Sequence, residues 1–179
     1  VHLDLSAIAK GFAVDEISSL LAEAGATGSM VEIGGEVVAR GTKPDGVPWR
    51  IGVERPTPGG RSEGTVVEVS GALATSGDYR NFFSQGGVRY SHTIDPVTGR
   101  PVTHALAAVT VALPSCLEAD AVATALLVMG PQRSLAWCEQ YNRDAEQPIG
   151  VMLLSRGESG KLSTQMTPAF EKLLAGRAR

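Results

Sequence analysis

The sequence predicts an α+β fold, in which a largely antiparallel β-sheet core is flanked by helices. Strand-like runs dominate the middle of the chain, segments with helical spacing of apolar residues bracket them, and turn-forming residues separate neighbouring runs. The length of 179 residues and the hydrophobic fraction of 43% are typical of one folded domain.

The first predicted element is a helix. Apolar residues recur mostly three and four positions apart from Leu5 to Leu21, and Gly25 supplies a stop signal. Ser6 is a candidate N-cap, because a serine oxygen can accept a bond from a backbone N–H of the first turn.

Short strands follow in the first half of the chain, at residues 29–33, 36–40, 49–54 and 65–69. Gly34-Gly35 and Pro44-Asp45-Gly46 are typical of tight turns. The stretch 57–64 is rich in Pro, Gly and Ser, and we expect it to be an exposed loop.

The second half contains further hairpins and most of the helices. Residues 88–94 are expected to be the return strand after a Gln85-Gly86-Gly87 turn, and 95–101 a tight turn bounded by prolines. The remaining predicted elements are a buried strand at 106–113, helices at 118–129 and 132–142, strands at 149–154 and 161–164, and a short helix at 168–174.

The composition argues against several classes of function. The net charge is −3 and the chain has no basic block, so nucleic acid is not expected as the main partner. No apolar run approaches the ~18 residues that span a bilayer. The two cysteines, Cys116 and Cys138, are too few for a disulfide scaffold or a cysteine-built zinc site, and they are either a pair or buried free thiols.

Two features near the start of the chain suit a phosphate-bearing ligand. The backbone N–H groups of Gly34-Gly35 can cradle phosphate, although a glycine pair more often serves a bulge or tight turn. Asp4 can accept bonds from a ligand and Lys10 can pair with a phosphate, although a solvated acid and base are the simpler interpretation.

Two later features suit catalysis or metal binding. His92 can move protons near neutral pH, or it braces the adjacent turn, where Asp95 is a turn former. Asp120 and Thr124 are four residues apart on one helix face and offer oxygen ligands for a hard ion such as Mg²⁺. The alternative is that the acidic residues there favour the helix N-terminus through its dipole.

The motifs in their order resemble one known family. Residues 4–15, DLSAIAKGFAVD, closely resemble the DLSAIAKGYAVD segment of the ApbE family, the FAD:protein FMN transferases. Later landmarks of that family follow in order: Gly34-Gly35, TSGDYRNF at 75–82, SHTIDPVTGRP at 91–101 and EADAVATAL at 118–126. The resemblance covers essentially the whole chain and implies an ApbE-like, T-fold-like architecture.

The resemblance implies an activity and a setting. Family members bind FAD and Mg²⁺ and move FMN onto a threonine hydroxyl of a target protein, releasing AMP. Their targets are flavoprotein subunits of membrane electron-transport complexes. Most members are exported to the periplasm or cell surface and lipid-anchored. An FAD pyrophosphatase that yields FMN and AMP, and a flavin-binding module without turnover, are the alternative functions.

The resemblance also implies roles for individual residues. Asp120 and Thr124 would be side-chain ligands of Mg²⁺, with backbone oxygens of Ala7 and Ala123 nearby. Family members often have Asp where Ala123 stands, so this site is expected to hold the ion less tightly. Asp120 is thereby also a candidate catalytic residue.

The expected FAD site combines residues from every landmark before the last. Asp4 and Lys10 would contact the flavin nucleotide, and Ile94 would pack on the flavin or present its backbone. His92 is the candidate for deprotonating the threonine hydroxyl or contacting the phosphate. The other expected cofactor-binding residues are Gly34, Gly35 and Ser76.

The family is longer on its N-terminal side, where part of the FAD pocket resides. We therefore expect residues 1–179 to be the C-terminal part of an ApbE-like flavin transferase domain. A naturally short relative with an incomplete pocket is the alternative.

Overall fold

The computed structural model describes residues 3–57, 60–78, 82–85, 88–157 and 161–176. The elements in chain order are α1 (Ala9–Glu23), β1 (Ser29–Ile33), β2 (Glu36–Arg40), β3 (Trp49–Thr57), β4 (Gly60–Val69), β5 (Gly71–Gly77), β6 (Phe82–Gln85), β7 (Val88–Ser91), β8 (Ile94–Asp95), β9 (Arg100–Pro101), β10 (Leu106–Leu113), α2 (Cys116–Met129), α3 (Pro131–Asp144), β11 (Gly150–Arg156), β12 (Leu162–Met166) and α4 (Pro168–Glu171).

The main sheet of the described residues has the strand order β1-β2-β5-β10-β11-β12, and each neighbouring pair is antiparallel. Three further hairpins, β3–β4, β6–β7 and β8–β9, form separate two-stranded sheets. The predicted α+β class with a largely antiparallel sheet is therefore confirmed. No helix among these residues is long and apolar enough to cross a bilayer.

Alternation along the strands gives the main sheet two buried faces. On the first, which we call the helix face, strand residues such as Val38 and Val109 pack against Val14 of α1 and Ala119 of α2. On the second, which we call the hairpin face, the strand residues that alternate with these pack against the β3–β4 hairpin and α4. The fully or nearly buried residues of that face are Val37, Ala39, Val53, Val67, Val69, Leu73, Met152 and Phe170.

α1 and α2 are held together at the level of Gly11. A Cβ at Gly11 would lie 2.3 Å from the carbonyl oxygen of Cys116, so a larger residue would force the helices apart. One turn further along α1, the carboxylate of Asp15 accepts bonds from the Ser115 hydroxyl at 2.9 Å and from the backbone N–H groups of Cys116 and Leu117 at 3.0 Å. A side chain of α1 thereby caps the N-terminus of α2.

Most predicted elements are confirmed, several with the boundaries expected. The strands 29–33, 36–40 and 106–113 match β1, β2 and β10, and the helix predicted at 118–129 begins two residues earlier. Cys116 and Cys138 are buried free thiols, the second of the two alternatives. Burial raises the pKa of the Cys116 thiol to about 12 and that of Cys138 to about 11.

Three predictions are wrong. Much of the expected loop at 57–64 is strand, because β4 begins at Gly60 and pairs with β3. The expected strand 88–94 is divided, since β7 ends at Ser91 and Ile94 pairs with Pro101 in another hairpin. Residues 58–59, 79–81, 86–87 and 158–160 lie outside the described residues, so the Gln85-Gly86-Gly87 turn and part of the 75–82 motif do too.

The third error concerns the start of the first helix. α1 begins at Ala9, its N-cap position is Ile8, and no side chain caps it. The backbone N–H of Ser6 instead donates to Asp4 Oδ1 at 2.8 Å, which places Ser6 in a separate turn before the helix. Local bonding of an Asp side chain to the backbone two residues on therefore replaces the predicted cap.

Candidate functional site

The candidate residues from the separate motifs meet at one cavity of about 1080 Å³. Its walls come from the start of α1, the β1–β2 turn, β3, the end of β5, the segment around β8 and the middle of α2. The predicted site residues that line it are Asp4, Ala7, Lys10, Gly34, Gly35, Ser76, His92, Ile94, Asp120 and Thr124. Ala123 is the exception, because its side chain is fully buried in the core between α2 and the sheet.

Asp120 is a buried acid on the cavity wall. Its side chain belongs to the inward face of α2, it is 2% exposed, and its Oδ2 accepts a bond from the backbone N–H of Gly11 at 3.1 Å. Burial raises the pKa of Asp120, while the Gly11 bond and the charge of Lys10 oppose that shift. A cation bound beside this buried carboxylate would offset the cost of ionising it.

Thr124 follows Asp120 by one helical turn. Its Oγ1 lies 2.9 Å from Ser76 Oγ of β5, so the two hydroxyls join α2 to the sheet at the cavity. Among the described residues, no group of three or more His, Cys, Asp or Glu side chains is close enough to hold a metal ion. Asp120 and Thr124 themselves offer a carboxylate and a hydroxyl oxygen, and such oxygens, with backbone oxygens, could hold a hard ion such as Mg²⁺ better than zinc.

The two glycines form the tight turn between β1 and β2. Gly34 and Gly35 have φ angles of +63° and +106°, as a two-residue type I′ hairpin turn requires. The Gly35 N–H donates to Glu32 Oε1 at 2.9 Å. The tight-turn interpretation of this motif is thus confirmed, and the turn is at the same time part of the cavity wall.

Asp4 and Lys10 lie on the cavity at the start of α1. Asp4 is exposed, and hydrogen bonds from the side chain and backbone of Ser6 lower its pKa. Lys10 is neither a free nor a fully solvated base, because its Nζ lies 2.5 Å from Glu36 Oε1.

His92 and Ile94 are exposed on either side of the buried Thr93. The turn after them is braced by Asp95, which accepts bonds from the Val97 N–H at 2.9 Å and the Thr98 hydroxyl at 3.1 Å. Asp95 is therefore the turn former that the sequence suggested. The proton-transfer role of His92 stays a prediction.

Sequence reasoning missed Glu36. This residue is 0% exposed, and burial raises its pKa against the opposing hydrogen bond and charge of Lys10. Its one signal in the sequence is an acid directly after Gly34-Gly35, at the start of a strand whose next three residues are apolar. Arg50, Glu54 and Thr75 also line the cavity without having been predicted.

Fold and cavity together define the class of the protein: an α+β chain with a large, oxygen-rich cavity at one end of an antiparallel sheet. Residues 1–147 match the ApbE family. The chain belongs to that family.

Individual relatives agree with this assignment. The chain is 51% identical to an FAD:protein FMN transferase of Vibrio cholerae over 161 residues, which are 89% of this chain and 46% of the relative. The apo structure of the flavinyl transferase ApbE from Pseudomonas stutzeri superposes with a TM-score of 0.83 at 43% identity, covering 99% of this chain and 53% of that one. An ApbE protein from Thermotoga maritima gives a TM-score of 0.79 at 32% identity, over 97% and 54% of the two chains. The chain thus spans about half the length of these relatives.

Proposed function

We propose that this chain forms part of the active site of a Mg²⁺-dependent transferase, which moves the FMN moiety of FAD onto a threonine hydroxyl of a target flavoprotein and releases AMP. The observation that carries the proposal is that candidate residues from separate motifs line one cavity. Its volume of about 1080 Å³ suits a ligand of FAD size. The names of the relatives, FAD:protein FMN transferase and flavinyl transferase, support the same activity.

The oxygen donors of α2 fit the metal that this reaction needs. Asp120 and Thr124 would hold Mg²⁺ through their side chains, together with backbone oxygens of Ala7 and Ala123. Bound there, the ion would neutralise charge on the pyrophosphate oxygens of FAD. Asp4 and Lys10 would bind the flavin nucleotide, with the Lys10 ammonium on a phosphate, and Gly34, Gly35, Ser76 and Ile94 would complete the site.

The transfer is a displacement at phosphorus in which His92 acts as the base. His92 accepts the proton of the threonine hydroxyl, and the threonine oxygen forms a bond to the phosphorus on the FMN side of the pyrophosphate. The bond from that phosphorus to the bridging oxygen breaks, and the bridging oxygen leaves with AMP and the electron pair. The exposure of His92 supports this role, since the hydroxyl of another protein must reach it.

The test is a transfer assay with purified protein, FAD, MgCl₂ and a target flavoprotein domain. We expect a covalently fluorescent target and one AMP for each flavin attached. Chelation of Mg²⁺, or replacement of the acceptor threonine by valine, should abolish labelling. Absence of covalent product with the intact target would contradict the proposal.

The same assay separates the two alternative functions. FMN and AMP released equally with and without target would favour an FAD pyrophosphatase. Tight FAD binding without AMP, unchanged by Asp120→Ala, would favour a non-catalytic flavin-binding module. Glu118→Ala is the matched control, because it removes an exposed acid two residues away on the same helix.

The setting of the reaction is also part of the proposal. The target would be a flavoprotein subunit of a membrane electron-transport complex, and the protein would act in the periplasm or at the cell surface, held by a lipid anchor. Both statements come from the family resemblance. Cell fractionation, and identification of flavin-labelled proteins in cells with and without the enzyme, test them.

A further inference from the structure

Glu36 is a buried acid that the proposed reaction does not use. It opens β2 directly after the two-glycine turn, and its side chain is 0% exposed. Apart from the ion pair with Lys10, neither carboxylate oxygen has a hydrogen-bond partner among the described residues. The other buried acids are better satisfied, since Asp78 accepts from the guanidinium of Arg156 and Asp120 accepts from a backbone N–H.

Such an arrangement costs stability. A buried carboxylate with a single partner loses more hydration energy than the ion pair returns, and an apolar residue of similar volume is often better for stability. The position therefore calls for an explanation other than packing. The explanation lies with the partner, because Lys10 is the one member of the pair that reaches the cavity.

The ion pair has one buried end and one open end. The Lys10 side chain is 43% exposed, whereas that of Glu36 is 1% exposed, and their charged atoms are 2.5 Å apart. The stem of Lys10 runs beside the turn, so that a Cβ at Gly34 would lie 3.4 Å from Lys10 Cδ. The lysine is thus confined between the turn and a rigidly buried carboxylate, instead of sampling the many rotamers of a free lysine.

The surrounding charge makes this confinement useful. Burial raises the pKa of both Glu36 and Asp120, and the positive charge of Lys10 opposes that rise at each of them, so its field reaches both acids. Without the Lys10 ammonium, an incoming phosphate would meet the charge of Asp120 on this wall and that of Glu36 buried behind it, with no opposite charge between.

We propose that Glu36 is a positioning residue that acts through Lys10: its buried carboxylate fixes the Lys10 ammonium on the cavity wall, where it meets a phosphate of the flavin nucleotide. The inference rests on the proposed function for the identity of the ligand. Because Glu36 acts on binding through Lys10, its removal should raise the KM for FAD far more than it lowers kcat.

A double-mutant cycle tests this coupling. Glu36→Gln keeps the shape of the side chain and removes its charge, and Lys10→Met removes the ammonium. We expect each single variant to raise the KM for FAD about tenfold, the size of one charge-assisted hydrogen bond. In the Lys10→Met background, Glu36→Gln should change KM by less than about twofold, because the residue through which it acts is gone.

Two further variants distinguish positioning from a structural role. Glu36→Asp retains the charge and should recover part of the KM lost in Glu36→Gln, and it remains informative if the Gln variant does not fold. Glu118→Gln removes an exposed acid from α2 and should leave KM unchanged. A loss of activity that is equal in both Lys10 backgrounds, or an unchanged KM in Glu36→Gln, would overturn the positioning role.

The outcome for the wild type separates this inference from the proposed function. If the wild type binds FAD without transferring flavin, the transferase proposal fails and the same cycle is measured on the Kd for FAD, by quenching of flavin fluorescence. If the wild type transfers flavin but the cycle is additive, only the role of Glu36 fails. If the wild type neither binds FAD nor transfers flavin, both proposals fall.

Discussion

The two faces of the main sheet bury different kinds of side chain. The hairpin face packs Val37, Leu73 and Met152 against Val67 and Phe170, and these side chains are apolar and almost fully buried. The helix face has an apolar core as well, but at its cavity end it also buries the acids Glu36 and Asp120.

The difference separates stability from function. Burial of apolar area on the hairpin face stabilises the fold without any polar group to satisfy. At the cavity end of the helix face, burial raises the pKa of both acids, so ionising them costs free energy. Such sites are typical of places where binding or catalysis is served at the expense of stability.

The largest effect should come from the hairpin face. Phe170→Ala removes a side chain that is 0% exposed, and should lower the free energy of unfolding by about 3–5 kcal/mol. Urea denaturation measures this loss. Because Phe170 is not among the residues that line the cavity, flavin transfer per folded molecule should change by less than about twofold.

Val66→Ala is the matched control for Phe170→Ala. Val66 is 43% exposed and lies in β4 beside the buried Val67, so its truncation should cost less than about 1 kcal/mol. A Phe170→Ala protein as stable as the control would refute the assignment of the hairpin face as the stabilising one.

Asp120→Asn should lower the transfer activity without lowering stability, which is the reverse of the effect expected for Phe170→Ala. Loss of the carboxylate should lower flavin transfer at least about 100-fold, corresponding to about 3 kcal/mol. Stability should not fall, because the Asn side-chain oxygen can still accept the Gly11 N–H and no buried charge remains. Steady-state transfer and thermal unfolding in metal-free buffer measure the two quantities.

The raised pKa of Asp120 determines how the difference in stability between the wild type and Asp120→Asn depends on pH. Burial raises the pKa of Asp120 in the folded protein above its ordinary value of 3.8, so the folded state holds the proton more tightly than the unfolded state. The wild type therefore loses stability as the pH rises from that value through the folded pKa. The greater stability of Asp120→Asn relative to the wild type should be present at pH 7 and vanish below the pKa of the unfolded state. An Asn variant that is less stable than the wild type at pH 7 would contradict this.

Local patterns in the sequence were enough to predict most of the fold. The strands β1, β2 and β10 have β-branched runs and clear turn signals at their ends, and α2 ends at Gly130-Pro131 as expected. The loop expected at 57–64 was wrong because pairing with β3 overrides its Pro, Gly and Ser composition. The composition of this stretch hid the continuation of both strands beyond the predicted ranges 49–54 and 65–69.

The site was predictable to the extent that its residues lie within motifs. Asp4, Lys10, His92 and Asp120 were all named from the sequence, and the fold brings them to one cavity. Glu36 could not be found in this way, because an isolated acid at the start of a strand is usually exposed. Its burial results from contact with α1, which packs over β1 and β2.

The smallest of these effects should come from Asp15, where the helix face recovers part of the stability that its buried acids cost. Asp15 accepts three bonds from residues 115–117, so Asp15→Ala leaves a hydroxyl and two backbone N–H groups of the α2 N-terminus without their acceptor. We expect a loss of about 2 kcal/mol in the free energy of unfolding, at the upper end for a helix cap. Asp15→Asn keeps one acceptor oxygen and should lose less, and Glu16→Ala, an exposed neighbour on α1, should change stability by less than about 0.5 kcal/mol.

Because α2 carries Asp120 and Thr124, Asp15→Ala should also raise the Mg²⁺ concentration needed for half-maximal transfer, whereas Phe170→Ala should not. Equal Mg²⁺ requirements in the two variants would mean that the α1–α2 junction supports the fold alone and contributes nothing to the site.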